Sequence, residues 1–138
     1  MTTSNPGALT ALSPLDGRYA AKVEPLRAHF SEFGLIRNRI RVEIEWLKAL
    51  AAAPEIAEVP SFSPLTIDEL DRAVAEFSVV DAEAVKKIES VTNHDVKAVE
   101  YWLKERFQSN AEVMKVSEFI HFACTSEDIN NTSHALML

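Results

Sequence analysis

The chain has 138 residues, of which 47% are hydrophobic and 25% are charged. These proportions are ordinary for a globular protein, and the length suits one domain with a real core better than two. The net charge is −7, from 14 basic and 21 acidic residues. This balance argues against nucleic acid as the main partner, because proteins that bind it present a basic surface. A few placed arginines or free backbone N–H groups can still hold a small anion.

The cysteine count and the N-terminus bear on where the protein works. Cys124 is the single cysteine, so no disulfide can form within the chain. Residues 1–7 lack the basic segment and apolar run of a secretory signal. No apolar run approaches the roughly 18 residues that suggest a membrane span. We therefore predict a cytoplasmic protein that does not bind membranes.

The hydrophobic pattern predicts an all-α protein. Glycine is scarce, at three residues, which favours helices over a fold with many hairpins. Residues 1–16 are predicted to form an extended leader. A long helix is predicted to begin near Ser31 and to end before Pro54. Its apolar face consists of Phe33, Ile36, Ile40, Ile44, Leu47 and Ala51.

Three shorter helices follow in the predicted order. Thr66 and Glu69 fit a capping box, with Thr66 as the N-cap of the second helix. The third helix is predicted to run from Asp81 to about Val91. Asp95 is expected to cap the fourth helix. The apolar stripe of the fourth helix consists of Val96, Val99, Leu103 and Phe107.

The last part of the chain is predicted to hold a fifth helix and the beginning of a sixth. The spacing of Val113, Val116, Ile120 and Ala123 suggests the fifth. Either hydroxyl of Thr125-Ser126 is suited to capping the sixth. The chain then ends on an apolar run at Leu138, which is typical of a cut chain rather than of a natural domain end.

The first polar segment that the helical pattern does not need runs from Asp16 to Tyr19. Arg18 presents a planar guanidinium that suits a phosphate or a carboxylate, and Tyr19 offers a hydroxyl and a stacking face. Taken alone, the segment fits a surface turn with a local salt bridge better than a binding site.

The second segment is Thr92-Asn93-His94-Asp95, with Lys97 close behind. It lies at a predicted helix N-terminus, where free N–H groups and the helix dipole favour an anion. His94 can donate a hydrogen bond or carry charge near neutral pH. The alternative is that Asn93 and Asp95 only cap the helix while His94 is a partly buried bystander.

The third segment runs from Thr125 to Thr132. The hydroxyls of Thr125 and Ser126 can bind a carboxylate together with the backbone N–H groups of a helix start. A capping box from Thr125 to Asp128 explains the same residues, and the two interpretations are compatible.

Two further interpretations, a cysteine nucleophile and a zinc site, have weaker support in the sequence. Cys124 with His121 can be imagined as a nucleophile and its base, but a cysteine beside Phe122 and Ala123 fits a small buried hydrophobic residue better. His121, Cys124 and Asp128 would share one helical face, yet a fourth zinc ligand at suitable spacing is missing.

Three stretches carry recognisable motifs: Ser13–Tyr19, Thr92–Tyr101 and Ser117–Asn131. They contain Asp-Gly-Arg-Tyr, Asn-His-Asp-Val-Lys and Thr-Ser-x-Asp-x-Asn in that order. These motifs closely resemble the adenylosuccinate lyase family of the fumarase/aspartase superfamily. The resemblance runs from about residue 9 to residue 138. The third motif is shared more loosely across the superfamily, whereas the first two point narrowly to this family.

The resemblance implies an all-helical homotetramer whose active sites combine residues of three subunits. We expect neither a cofactor nor a metal. The family splits adenylosuccinate into AMP and fumarate. It also releases fumarate from the succinyl-aminoimidazole-carboxamide ribotide of purine synthesis. In that fold, residues 1–110 correspond to the N-terminal helical domain, and residues 111–138 to the beginning of the central helical domain, cut short at the start of its long-helix bundle.

Seven residues match substrate-binding positions of the family. The first two match positions that hold the nucleotide's phosphate, the next three match substrate contacts, and the last two match positions that bind the succinyl part. In chain order they are Arg18, Tyr19, Asn93, His94, Asp95, Thr125 and Ser126. The resemblance gives His94 an auxiliary part in catalysis.

The family takes its main general acid and its base from segments that correspond to positions beyond residue 138. We therefore expect an N-terminal portion that binds substrate but is inactive alone. Two alternatives stay open. One is another fumarate-releasing lyase of the superfamily, against which Arg18 and Tyr19 argue. The other is a non-catalytic helical interaction module whose polar clusters are only caps.

Overall fold

The computed structural model describes residues 7–138, which form helices joined by turns, with no strand among them. The predicted all-α class is confirmed. Single 3-10 turns lie at Glu24–Leu26 and Ser117–Phe119. The helices are α1 (Ala20–Val23), α2 (Arg27–Phe30), α3 (Glu32–Ala52), α4 (Pro64–Ala75), α5 (Val79–Thr92), α6 (Asp95–Arg106), α7 (Ala111–Lys115) and α8 (Ser126–Met137).

The 21-residue helix α3 is the element on which the others pack. Ser31 caps it, because its side chain accepts a hydrogen bond from the Gly34 N–H at 3.2 Å. The helix ends before Pro54, as predicted. It contacts α2, α4, α5, α6 and α8, so it is covered on several sides. Every residue of its predicted apolar face is buried except Phe33, which is partly buried.

A second layer forms where α5 and α6 pack together against α3. Phe77, between α4 and α5, connects the layers through its ring. Its centroid lies 5.6 Å from that of Phe33 and 5.5 Å from that of Trp102, the second pair in an edge-on arrangement. Such aromatic pairs add about 0.5–1.5 kcal/mol to the hydrophobic gain from burial. The predicted stripe of α6 is confirmed, because Val96, Val99, Leu103 and Phe107 are all buried.

The predicted starts of α4 and α5 are wrong, both by a few residues. Ser63, not Thr66, caps α4: its side chain accepts from the Thr66 N–H at 3.3 Å, and Pro64 occupies the first turn. Proline is favoured there because it has no N–H to satisfy and its φ already suits a helix. Helix α5 begins at Val79 rather than Asp81, since Ser78 and Asp81 form a reciprocal capping box.

The predicted fifth helix is also wrong. The chain forms the five-residue α7, then a 3-10 turn, then an irregular turn in which His121 and Ala123 have φ of 66° and 60°. Val113, Val116 and Ile120 are still buried in the core, whereas Ala123 is exposed. Hydrophobic spacing alone cannot distinguish one helix from a compact coil that buries the same residues.

Two other predictions from the sequence also differ from the structure. His121, Cys124 and Asp128 cannot share a helical face, because only Asp128 lies in a helix. The predicted extended leader lies partly outside the described residues, and from Gly7 to Asp16 it is a series of turns rather than extended. Within residues 7–138, every helix is too short or too polar to cross a lipid bilayer.

The cap of α4 can be tested by mutation. Ser63→Ala should lower the free energy of unfolding by about 1 kcal/mol, because it removes the side-chain acceptor of an N-terminal N–H group. Urea unfolding of the chain, followed by circular dichroism, measures the change. Ser90→Ala is the matched control: Ser90 is exposed within α5, where alanine is the better helix former. Equal stabilities of the two variants would contradict the cap.

Candidate functional site

The turn between α5 and α6 holds the second predicted segment. Asn93 ends α5 with φ of 52°, in the left-handed region that asparagine tolerates better than most residues. His94 then caps α6, because its Nδ1 accepts a hydrogen bond from the Lys97 N–H at 3.1 Å. The expectation that Asp95 is the cap is wrong. Asp95 is the first residue of the helix.

The cap determines which nitrogen of His94 carries the proton. Nδ1 accepts from a backbone N–H, so in this arrangement the ring proton lies on Nε2. The side chain is 51% exposed. With Nδ1 used by the cap, Nε2 is the ring nitrogen that His94 can offer to a ligand outside the turn.

Arg39 of α3 joins this turn to the start of α8. Its Nη2 donates to Asp95 Oδ2 at 2.6 Å, and its Nε donates to Asn130 Oδ1 at 2.8 Å. The residue is buried, at 8% exposure. Asp95 Oδ1 also accepts from the Val96 N–H at 2.8 Å. Two of the three predicted segments are thus connected through one arginine.

Thr125 and Ser126 begin α8 and differ in what they leave free. The Thr125 hydroxyl donates to Asp128 Oδ2 at 2.8 Å and accepts from the Asp128 N–H at 3.3 Å, which confirms the capping box. Ser126 is partly exposed, and its hydroxyl makes no hydrogen bond to any other residue between 7 and 138. Ser126 is consequently the readier donor for a carboxylate.

The first turn of α8 also carries negative charge, from Glu127 and Asp128. Hydrogen bonds from the backbone and side chain of Thr125 lower the pKa of Asp128, so its carboxylate stays ionised near neutral pH. These two charges offset the attraction of the helix N-terminus for an anion. A bound carboxylate would therefore depend on specific donors and on cations from outside α8.

The irregular turn before Thr125 is held by two side chains of α3. The Glu43 carboxylate lies 2.6 Å from His121 Nδ1. One helical turn further on, Trp46 Nε1 donates to the Phe122 carbonyl at 2.8 Å. Residues with positive φ cost about 1–2 kcal/mol each and persist where surrounding contacts determine them. Glu43 and Trp46 supply such contacts at successive residues of the turn.

The pKa values of one carboxyl group and one thiol at this turn are both raised. Burial raises the pKa of Glu43 above its ordinary value, although its bond to His121 acts in the opposite direction. Glu43 Oε2 is buried without a hydrogen-bond partner among the described residues. Burial also raises the pKa of the Cys124 thiol, and the carboxylates of Glu43 and Asp128 raise it further. Cys124 is not an activated nucleophile in this setting.

The first predicted segment lies apart from the other two. Arg18 is exposed, and its guanidinium carbon lies 5.3 Å from the centroid of the Tyr19 ring. The Lys22 ammonium lies 5.7 Å from the same centroid. Two cations thus flank one aromatic ring, with the Asp16 carboxylate paired to Arg27 nearby in the chain. No hydrogen bond or ion pair within residues 7–138 joins Arg18 or Tyr19 to the other segments.

A groove of about 540 Å³ lies between α3 and α8. Trp46, Ile129 and Leu136 contribute apolar walls, and Arg41 and Asp128 contribute charges. None of the seven predicted residues lines it. Within residues 7–138, no group of three or more His, Cys, Asp or Glu side chains is arranged to hold a metal ion. The predicted site is therefore a set of open turns rather than this groove.

Sequence reasoning missed Arg39 and Glu43 as parts of the site, and it placed Asn130 in the third segment without giving it a role. A signal was present for the first two. Arg39 and Glu43 lie four residues apart on α3, so they fall on the same side of the helix as the buried Ile36 and Ile40. Charged residues on an apolar face are rarely fully buried unless they are paired. That rule would have indicated partners elsewhere in the chain.

Comparison with known proteins identifies the family of the chain. A family model described as a lyase matches residues 17–138. The chain belongs to this lyase family. Among curated relatives, the adenylosuccinate lyase of Haemophilus influenzae Rd is 65% identical over 130 residues, which cover 94% of this chain and 28% of that protein.

Two further adenylosuccinate lyases are nearly as similar. That of Vibrio cholerae serotype O1 is 62% identical over 131 residues, covering 95% of this chain and 29% of the relative. That of Escherichia coli K12 is 61% identical over 130 residues, covering 94% and 28%. The chain spans less than a third of the length of the curated relatives it matches.

The raised pKa of Glu43 predicts a pH-dependent stability. The pKa of its carboxyl is higher in the folded chain than the ordinary value of 4.5. The contribution of Glu43 to the free energy of unfolding is therefore fully present below pH 4.5. It is lost as pH rises toward the folded pKa. Relative to Glu43→Gln, which cannot ionise, the wild-type chain should therefore lose stability as pH rises above 4.5.

Urea unfolding of both proteins at a series of pH values between about 4 and 7 measures this difference, because groups that do not interact with Glu43 contribute alike to both and cancel. Glu45→Gln is the control, since Glu45 is exposed on the same helix. A wild-type chain that gains stability relative to Glu43→Gln as pH rises would contradict the assignment.

Proposed function

We propose that the chain is the N-terminal, substrate-binding part of an adenylosuccinate lyase. The observation that carries this proposal is the 65% identity to the Haemophilus influenzae adenylosuccinate lyase over 94% of the chain. The reaction is the elimination of fumarate from adenylosuccinate, which leaves AMP. By the same chemistry the enzyme would release fumarate from succinyl-aminoimidazole-carboxamide ribotide in purine synthesis.

The chemistry requires fixed donors as well as an acid and a base. Removing a proton from the carbon beside a carboxylate builds up negative charge on that carboxylate, which preorganised donors stabilise. The departing nitrogen must also be protonated. His94 Nε2 and the Ser126 hydroxyl are free donors at the starts of two connected helices. These groups suit binding and charge stabilisation rather than deprotonation.

The proposed roles follow the three segments. Arg18 and Tyr19 hold the nucleotide's phosphate, with the guanidinium as a bidentate partner. Asn93 and His94 contact the substrate from the turn before α6, with His94 as an auxiliary catalytic donor.

The proposed roles of Thr125, Ser126 and Asp95 depend on the hydrogen bonds that these residues do or do not make within the chain. Thr125 and Ser126 hold the succinyl carboxylate, Ser126 more directly because the Thr125 hydroxyl is used in the capping box. Asp95 contacts substrate only through the 39% of its side chain that is exposed, since Arg39 takes one of its oxygens.

The main general acid and the base are proposed to come from sequence beyond residue 138. The complete enzyme is proposed to be a cytoplasmic homotetramer, with each site built from three subunits. This explains why Arg18 and His94 need not meet within one chain. The division into a domain of residues 1–110 and a second beginning at residue 111 also stays a prediction.

A chimeric enzyme tests the proposed function. The chain replaces the matching segment of the Escherichia coli adenylosuccinate lyase, with which it is 61% identical over 130 residues. The purified chimera should cleave adenylosuccinate with kcat in the range typical of enzymes, about 1–10³ s⁻¹, followed by absorbance. Residues 1–138 alone should show no turnover. A chimera that assembles like the parent enzyme yet leaves adenylosuccinate intact would refute the proposal, as would turnover by the isolated chain.

His94 provides a sharper test within the active chimera. Glutamine can donate a neutral hydrogen bond whereas alanine cannot, so His94→Gln should keep more kcat than His94→Ala. The alanine variant should lose on the order of 10²-fold, as when one donor to a developing charge is removed. His94→Asn is the control, because asparagine restores the cap but has a shorter side chain. Wild-type kcat and KM in a folded His94→Ala enzyme would show that His94 is a bystander.

A further inference from the structure

We infer that Arg39 is a positioning residue that fixes the turn carrying His94 relative to the start of α8. The inference rests on the proposed function and deepens it. It concerns how two proposed donors, on helices far apart in sequence, are held at a fixed separation. The contacts of the Arg39 guanidinium with Asp95 and Asn130 are the basis.

The geometry makes Arg39 a two-ended link. One nitrogen of the guanidinium bonds the carboxylate of Asp95, directly after His94, and another bonds the amide oxygen of Asn130. Asn130 is four residues after Ser126 and so lies one helical turn away from it. The two bonds have lengths of 2.6 and 2.8 Å, and the guanidinium between them is rigid and planar. The distance between the two segments is therefore tied to the shape of one side chain.

Other charged residues do not duplicate this link. His94 Nδ1 faces Asp95 Oδ1 at 3.8 Å, and Lys97 pairs with Glu100 at 2.8 Å on its own helix. On the α8 side, Asp128 is engaged with Thr125. Within residues 7–138, Arg39 makes the one side-chain hydrogen-bond connection from Asp95 to α8. Loss of either bond should leave the two segments free to shift against each other.

Burial explains why the link requires arginine. Arg39 is 8% exposed, so its charge must be paired and its donors satisfied. Lysine keeps the charge, but its compact ammonium on a flexible stem does not reproduce the planar fork. Arg39→Lys should thus preserve the ion pair with Asp95 while loosening the spacing to Asn130.

The kinetic consequence differs from that of a substrate ligand. Small misplacements of about 1 Å in a catalytic constellation can cost on the order of 10²-fold in rate. Arg39→Lys in the chimera should therefore lower kcat by about tenfold or more, with KM changed little. Arg18→Ala should show the opposite pattern, a raised KM, because it removes a ground-state contact to phosphate.

The test compares four chimeras: Arg39→Lys, Asn130→Ala, the double variant and Arg41→Lys. Arg41 is the matched control, an exposed arginine on the same helix that lines the groove instead. If Arg39 acts through Asn130, the double variant should lose no more kcat than the worse single variant. The inference would be overturned if the kcat losses of the two single variants multiply in the double variant. It would also be overturned if Arg41→Lys loses as much kcat as Arg39→Lys, or if a fall in Tm explains the kcat losses.

A second measurement needs no activity and keeps the inference separable from the proposed function. In the 138-residue chain, Asn130→Ala should speed hydrogen exchange at the Lys97 amide, which is bonded to His94. The expected increase is on the order of fivefold, the effect of losing one hydrogen bond. Alanine suits a helix interior, so α8 itself should persist. Unchanged exchange at Lys97 by NMR would overturn the inference even if the chimera is active, whereas an inactive parent chimera would count against the proposed function alone.

Discussion

A guanidinium buried in a helical core must be paired, because an isolated charge in an apolar interior costs several kcal/mol. Arg39 meets this requirement with one acceptor on α6 and one on α8. The central helix α3 is thereby connected to both helix starts that carry predicted donors. Without these two acceptors the burial of Arg39 would be strongly unfavourable. The arrangement of α3, α6 and α8 thus depends on a polar contact as well as on apolar packing.

The same helix also holds the irregular turn that precedes α8. Glu43 and Trp46 bind successive residues of a turn whose backbone is strained at His121 and Ala123. Such conformations persist where neighbouring contacts determine them. Glu43 remains costly in its own right, with one buried oxygen unpaired among the described residues. A buried acid next to a histidine, beside a proposed substrate-binding helix start, fits the tendency of strain and shifted pKa values to occur near functional sites.

At the proposed site, the positions of individual charged side chains matter more than the net charge of the chain. The chain has a net charge of −7, and the first turn of α8 is acidic. A dianionic succinyl group would therefore find few cations on this chain alone. A basic, aromatic cluster near the N-terminal end of the sequence consists of Arg18, Lys22 and the Tyr19 ring. A site shared between subunits would bring such separated elements together, which agrees with the proposed tetramer.

The sequence alone determined the helical class, the apolar faces of α3 and α6, the end of α3 before Pro54 and the Thr125 capping box, because these depend on neighbours in the chain. Tertiary structure decided which of two nearby residues caps α4 and α6, and it replaced the predicted fifth helix by a turn. It also decided the partners of Arg39 and Glu43, which lie 91 and 78 residues away at Asn130 and His121. The physical reason is that a buried charge is satisfied by whichever acceptor the fold brings near, and local periodicity carries no record of that choice.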